Sequence, residues 1–178
     1  MSSNPPRCLA LDHLKTPIGT ALLVSDEHGR IRALDWSDCE ARLHRLLRRH
    51  YGAIILKAGP APQAITAALN DYFAGDLGRL AAIPWDTNGT PFQRKVWRAL
   101  QTIPPGATAS YGEMAARLKL ANAARAVGLA NGANPISVVV PCHRLIGADG
   151  ALTGYAGGLA RKQWLLAHEG AAIRVGGI

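Results

Sequence analysis

The stretch TPFQRKVWRALQTIPPGATASYGEMAARLKLANAARAVGLANG, residues 90–132, contains the start and end signals of three helices. Its first four residues, TPFQ at 90–93, form a capping box with proline at the first helical position. Apolar residues then recur at every fourth position, on one face of a helix: Phe92, Val96 and Leu100. We therefore predict a helix over residues 91–102 that packs through this apolar face.

Two shorter helices are predicted after the helix-breaking segment IPPGATAS, residues 103–110. SYGE, residues 110–113, is a second capping box and opens a helix that runs through Leu118. A further helix begins near Asn122 and ends at Gly132. Two short helices joined by a tight turn predict a helix-turn-helix.

The last of these helices, AARAVGLAN, has mostly small side chains, and Arg125 is its one long charged residue. Such side chains offer few hydrogen-bond donors or acceptors to base edges, so the helix would meet DNA by shape and phosphate contact. The same composition also fits a helix packed tightly inside the core. The position of Arg125 between alanines favours the surface.

The first half of the chain predicts a small α/β unit. Three short apolar runs separated by turn residues predict a meander of antiparallel strands: residues 8–14, 18–25 and 31–36. Two amphipathic segments predict helices over residues 38–52, with Asp38 as the cap, and over residues 61–74. The arginines of the first helix fit a solvated face better than a nucleic-acid patch.

A domain boundary is predicted at IPWDTNGTPFQ, residues 83–93, because this segment is rich in turn residues. The fold class is then α+β followed by α. Residues 1–86 form a small α/β domain, and residues 87–178 form a mostly helical domain with the helix-turn-helix.

The charge differs between the two halves. Residues 1–86 have ten basic and nine acidic side chains, whereas residues 87–178 have ten basic and only three acidic ones. A surface with this excess of positive charge favours a polyanionic partner, and the second half should be the half that contacts it. A basic surface that serves only solubility is the alternative.

The three cysteines, Cys8, Cys39 and Cys142, are odd in number and far apart. They suggest neither a disulfide framework nor a C-x-x-C zinc site, and the sequence has no cofactor motif. The first fifteen residues do not resemble a signal peptide, and no apolar run reaches the roughly 20 residues that cross a bilayer. We expect a reducing, cytoplasmic setting.

Cys142 lies within an unusual run, ISVVVPCHRLIG, residues 136–147. The three valines before Pro141 predict a short buried strand or extended segment that ends at the cysteine. A buried thiol is a poor nucleophile without a base or a positive charge nearby, and the candidates to assist it are His143, His168 and Glu169. On an extended chain the two side chains point in opposite directions, so His143 needs a backbone turn or a relaying water. A structural buried cysteine remains the alternative.

Glu169 is the candidate partner of the histidine. It lies in the last turn of a helix predicted over residues 159–170, where a negative charge opposes the helix dipole. An unfavourable placement invites a functional explanation, although exposed glutamates at such sites are common. A carboxylate that orients His143 would complete a Cys–His–Glu arrangement.

The segment VVVPCHRLIG resembles the active-site motif of the O6-alkylguanine-DNA alkyltransferases, also called methylated-DNA–protein-cysteine methyltransferases. Four further segments resemble the family in order and spacing: GTPFQRKVWRALQTIPPGATASYGEMAARL, AARAVGLANGANP, LTGYAGG and RKQWLLAHEG. The resemblance covers about residues 87–170. It implies a ribonuclease H-like sheet in the first domain and a second domain that binds DNA and accepts the alkyl group.

The resemblance implies roles for individual residues. Cys142 corresponds to the alkyl acceptor, His143 to the base that acts through a water, Glu169 to the carboxylate that orients it, and Asn134 to the brace of the active-site turn. The residues that would contact the base are Tyr111, Leu145, Tyr155, Ala156 and Gly157. Many family members have serine in place of Ala156, a difference that bears on tolerance for bulky alkyl groups.

Arg125 corresponds to the finger that fills the space of the flipped nucleotide, and the DNA-binding set also includes Tyr111, Ala124, Ala126 and Gly128. The implied reaction is direct-reversal repair of O6-alkylguanine, and of O4-alkylthymine, in double-stranded DNA. One alkyl group is transferred irreversibly, with no metal or cofactor, by a monomer that needs no obligate protein partner. The sequence leaves open whether these monomers assemble cooperatively on DNA.

Three other functions use parts of the same pattern. A cysteine hydrolase would need turnover and an oxyanion site, which the charge asymmetry does not predict. A non-catalytic binder of alkylated DNA would lack the acceptor cysteine. A transcription regulator would need base-reading side chains, which AARAVGLAN does not have.

Overall fold

A computed structural model describes residues 7–172 of the chain. Residues 1–6 and 173–178 lie outside the described residues. The first six belong to the N-terminal segment that does not resemble a signal peptide. The first domain contains β1 (Arg7–Thr16), β2 (Gly19–Ser25), β3 (Ile31–Trp36), α1 (Glu40–Tyr51), β4 (Ile54–Ala58) and α2 (Gln63–Phe73). The second contains α3 (Pro91–Leu100), β5 (Ala109–Ser110), α4 (Tyr111–Arg117), α5 (Ala124–Gly132), β6 (Leu145–Ile146) and α6 (Leu159–His168).

The main sheet has the strand order β3-β2-β1-β4. Strands β1, β2 and β3 form the predicted antiparallel meander. The predicted fold class is confirmed as a small domain with a sheet followed by a mostly helical domain. The sequence did not predict β4, which pairs in parallel with β1 and makes the sheet mixed. This strand is short and largely exposed, so it lacks the apolar pattern by which the others were found.

Both faces of β2 are buried because the sheet is covered on two sides. Leu22 and Val24 pack with Leu43 and Leu47 of α1 in one cluster. Ala21 and Leu23, on the opposite face, belong to the large core shared with the second domain. The sheet is therefore a layer between α1 and the helices that hold the site.

The helical domain follows the sequence signals closely. Both capping boxes form, with Thr90 accepting from Gln93 N at 3.2 Å and Ser110 accepting from Glu113 N at 3.1 Å. The helix after Ser110 ends one residue before the predicted Leu118. The next helix begins at Ala124 rather than near Asn122, because Asn122 adopts a left-handed backbone conformation with φ +55°.

Two local predictions were wrong. Asp38 does not cap α1, because its carboxylate pairs with Arg161 at 3.0 Å and a 3₁₀ turn, Ser37–Cys39, precedes the helix. The valines before Cys142 form a turn rather than a strand. Val138 has φ +69°, and Val140 N donates to Ile136 O at 3.0 Å.

The edge of the sheet is joined to this turn. Leu34 N of β3 donates to Pro135 O, and Ser137 N donates back to Leu34 O, both at 2.9 Å. The segment that leads to Cys142 is thus held against the first domain by backbone hydrogen bonds. Among the described residues, no helix is both long enough and apolar enough to cross a membrane.

Candidate active site

Cys142 is the first residue of a one-turn 3₁₀ helix, Cys142–Arg144, and is 6 % exposed. Its carbonyl oxygen accepts a hydrogen bond from Asn131 Nδ2 at 3.2 Å. Burial raises the pKa of the Cys142 thiol, and the amide of Asn134 together with the positive charges of Arg42 and Lys162 opposes that rise. The thiol is therefore protonated at rest and needs a base to react.

His143, the candidate base, lies in the same 3₁₀ turn as Cys142. His143 is fully buried, and its Nε2 lies 2.9 Å from Glu169 Oε1. Burial lowers the pKa of His143 despite the nearby carboxylate, so the imidazole is neutral. A carboxylate can only accept, so Nε2 holds the proton and Nδ1 presents a lone pair. No residue from 7 to 172 hydrogen-bonds to this buried Nδ1 atom.

Glu169 is a fully paired carboxylate at the end of α6. It accepts from Tyr72 Oη at 2.8 Å and from Nε and Nη2 of Arg144, each at 2.8 Å, besides its contact with His143. Burial alone would raise the pKa of Glu169, but the hydrogen bonds from His143 and Arg144 hold it well below its ordinary range. These partners compensate for the opposing helix dipole.

Asn134 organises the turn that precedes the thiol. Its Nδ2 donates to Val140 O at 2.9 Å and to Ile136 O at 3.3 Å, and its Oδ1 accepts from Ile136 N at 3.0 Å. These bonds close the turn and hold Val138 in a conformation that β-branched residues rarely adopt. The four residues predicted as catalytic are therefore brought together by the fold.

Two family models match the chain. The 6-O-methylguanine DNA methyltransferase ribonuclease-like domain matches residues 12–87, and the DNA-binding domain of the same family matches residues 91–171. The chain belongs to the 6-O-methylguanine DNA methyltransferase family.

Individual relatives agree with this membership. A methylated-DNA–protein-cysteine methyltransferase of Salmonella typhimurium is 50 % identical over 161 residues, which cover 89 % of this chain and 94 % of the relative. The structure of an O6-methylguanine methyltransferase of Mycobacterium tuberculosis matches with TM-score 0.74 and 39 % identity, over 91 % of this chain and 93 % of that one. A structure of the M. tuberculosis protein in complex with DNA matches with TM-score 0.74 and 40 % identity, over 92 % of each chain.

The residues that the family resemblance assigned to the base pocket lie on α4 and around the loop between β6 and α6. Tyr111 Oη donates to Thr153 O at 3.3 Å, which ties α4 to this loop. Burial raises the pKa of Tyr155 well above its ordinary value, and a negative charge on the nearby Cys142 sulfur would raise it further. The exposed Ala156 accepts at its carbonyl oxygen from Cys39 Sγ at 3.7 Å.

Gly157 is required by close packing in this methyltransferase. A Cβ atom there would lie 2.6 Å from Trp36 Nε1 and 2.8 Å from the Tyr155 ring. Leu145, also assigned to the pocket, is fully buried, and its carbonyl oxygen accepts from Lys162 Nζ at 2.5 Å.

Four of the five predicted DNA-binding residues lie on α5, and the fifth, Tyr111, begins α4. Arg125 and Ala126 are exposed, and Ala124 is half-buried. Gly128 faces the Tyr111 ring: a Cβ atom added at Gly128 would lie 3.6 Å from the nearest ring carbon. The opposite side is buried through Val127, Ala130 and Asn131. The helix thus has one core face and one surface face, and Arg125 lies on the surface.

Sequence reasoning missed several buried polar residues around the site. Arg144 and Tyr72 both hydrogen-bond to Glu169, but the sequence pattern assigned a role to neither of them. Lys162 is fully buried and donates to the carbonyl oxygens of Leu145, Thr153 and Gly154; burial lowers its pKa to about 8. A lysine in a helical segment is expected to be exposed, so the burial of Lys162 could be recognised only from its tertiary contacts.

Proposed function

We propose that this chain repairs O6-alkylguanine in double-stranded DNA by transferring the alkyl group irreversibly to Cys142. The observation that supports this most strongly is the buried Cys142–His143–Glu169 arrangement in a chain of the methyltransferase family. A neutral imidazole with a free Nδ1 lone pair, next to a buried thiol, is the pairing that nucleophilic catalysis requires.

The proton moves first. His143 Nδ1 accepts the thiol proton through a water, and the imidazolium that forms is stabilised by the Glu169 carboxylate on Nε2. The two hydrogen bonds from Arg144 and the one from Tyr72 keep that carboxylate ionised and correctly oriented. The result is a thiolate at Cys142 in a site that otherwise disfavours it.

The transfer then exchanges one bond for another. The thiolate attacks the alkyl carbon in line with the C–O6 bond, the S–C bond forms, and guanine leaves with the electron pair of the broken bond. Guanine departs as an anion and takes up the proton held by His143, so that both the guanine and the imidazole end neutral. The product at Cys142 is a thioether without a good leaving group, so each molecule reacts once.

The damaged nucleotide must leave the duplex before its O6 group can meet a buried sulfur. We propose that Arg125, exposed on α5, occupies the vacated space and that Tyr111 and Tyr155 contact the extruded base. The net charge of +7 on residues 87–178 supplies sequence-independent, salt-sensitive attraction for the phosphate backbone. A helix with small side chains suits a protein that must bind any sequence.

We assign residues 1–86 a supporting role and residues 87–178 the binding of DNA and the transfer. The hydrogen bond from Tyr72 to Glu169 supports this assignment. We further propose a cytoplasmic protein, consistent with three free cysteines at positions 8, 39 and 142.

Intact mass spectrometry tests this function. Mixing the protein with a duplex that contains one O6-methylguanine should add about 14 Da at Cys142, in a one-to-one ratio that does not increase with excess DNA. Cys142→Ser should form no adduct. Catalytic turnover without an adduct would instead favour a hydrolase, and unchanged adduct formation in Cys142→Ser would rule out Cys142 as the acceptor.

A further inference from the structure

Leu129 is the most exposed large apolar side chain among residues 7–172, at 71 % exposure. It lies on α5, whose buried face consists of Val127, Ala130 and Asn131. Leu129 lies in water on the face of α5 that points away from the core.

Leu129 shares that face with Arg125, because residues four apart lie one above the other on a helix. The neighbouring exposed positions, Ala126 and Gly132, have almost no side chain. One cation and one apolar side chain therefore project from an otherwise flat surface. Proteins that bind the minor groove use this pair of features, a cation together with an apolar wedge between base steps.

We propose that Leu129 is a second insertion residue, which enters the minor groove one helical turn beyond Arg125 and packs against the unstacked base step beside the flipped nucleotide. This inference rests on the proposed function. Arg125 fills the vacated position with a polar, charged side chain, and Leu129 covers the apolar base and sugar surface that flipping exposes. Its burial there lowers the free energy of the flipped state relative to the stacked duplex.

A second copy of the chain is a less suitable occupant of this surface. Two copies that met through Leu129 would bring their Arg125 side chains together, and each belongs to a half with net charge +7. Like charges at such a contact repel, whereas a phosphate backbone attracts them. Charge complementarity therefore favours DNA.

The test compares Leu129→Ala with a matched control, Ile55→Ala, which truncates a 45 % exposed side chain on β4. Both changes are made in a Cys142→Ser background, so that binding is measured without transfer. The duplex contains one O6-methylguanine and, in the adjacent base pair, 2-aminopurine, whose fluorescence rises when it unstacks. We expect Leu129→Ala to bind about tenfold more weakly and to lose most of the fluorescence rise, while Ile55→Ala matches the parent. Leu129→Met should retain both signals.

The transfer reaction separates this inference from the proposed function. With Cys142 intact, Leu129→Ala should react with free O6-benzylguanine at the rate of the unaltered protein, since the free base needs no flipping. An absent adduct in the unaltered protein would refute the function itself. Equal duplex affinity and equal fluorescence for Leu129→Ala would overturn the insertion role alone. The insertion role would also be overturned if Leu129→Ala abolished self-association of the protein in sedimentation experiments and left DNA binding unchanged.

Discussion

Arg42 of α1 donates from Nη2 to the carbonyl oxygen of Asn134 at 2.9 Å, and so connects the first domain to the turn before Cys142. The same nitrogen donates to Gly132 O at 3.0 Å, at the end of α5, and Nη1 pairs with the buried Asp35. Asn134 in turn bonds Val140 O, two residues before Cys142. The first domain therefore helps to position Cys142 of the helical domain.

Replacing Arg42 with methionine should destabilise the protein. The change leaves Asp35, which is fully buried, without its counter-charge, and we expect the free energy of unfolding to fall by about 3 kcal/mol. Urea denaturation measures the loss. Arg45→Met, at an exposed position of the same helix, should cost less than about 0.5 kcal/mol. Equal effects of the two changes would mean that the Arg42 contacts contribute nothing specific.

Glu169→Gln should slow alkyl transfer by a factor of at least about 100, because an amide stabilises the His143 imidazolium far less than a carboxylate does. The rate constant with free O6-benzylguanine, measured well below the unfolding temperature of the variant, isolates the chemical step. Asp149→Asn alters an exposed carboxylate and should leave the rate unchanged. A Glu169→Gln variant that reacts at the normal rate would exclude the carboxylate from activation of the thiol.

Gly157→Ala should impair the reaction with free O6-benzylguanine by about tenfold or more. The added Cβ would lie 2.6 Å from Trp36 Nε1, so the loop that bears Tyr155 must shift. Gly132→Ala is the matched control, because nothing lies within 4 Å of its added Cβ. If both alanine variants react alike, close packing of the loop against Trp36 does not matter to the site.

Arg125→Ala should slow repair of duplex DNA far more than reaction with free O6-benzylguanine, since only the duplex requires a nucleotide to be extruded. Rates on both substrates, compared with those of Arg48→Ala on α1, measure the difference. A variant that loses the same factor on both substrates would identify Arg125 as a structural residue.

Acid should destabilise the fold through His143 and Glu169. The pKa of His143 is lowered in the folded protein, so below its ordinary 6.5 the unfolded chain binds a proton that the folded chain does not. The pKa of Glu169 is also lowered, so its stabilisation is complete above its ordinary 4.5 and is lost as the pH falls further. Each extra proton on the unfolded chain costs up to about 1.4 kcal/mol per pH unit.

Urea unfolding at a series of pH values should therefore give a free energy of unfolding that declines from about pH 6.5 downward. His143→Asn removes one of the two groups and should flatten the decline between about pH 6.5 and 5. An identical slope in the variant would show that His143 does not remain neutral inside the folded protein.

The sequence alone was sufficient for features that depend on neighbouring residues. Thr90 with Gln93 and Ser110 with Glu113 mark helix starts, because a capping box is satisfied within four residues. The strands of the meander followed from their apolar runs. Cys142, His143 and Glu169 were candidates from their positions in the sequence, and the resemblance to the family assigned their roles.

Only the tertiary structure decided the environment of those residues. The valines at 138–140 have strong strand propensity, yet they turn, because Asn134 and the edge of β3 hydrogen-bond their segment. Arg42, Tyr72 and Lys162 reach the site from distant parts of the chain, and their side chains give no local sign of it. Helix caps and apolar patterns depend on residues close together in the sequence. A buried charge is tolerated only when the fold brings its hydrogen-bonding partners, which are distant in sequence, into contact with it.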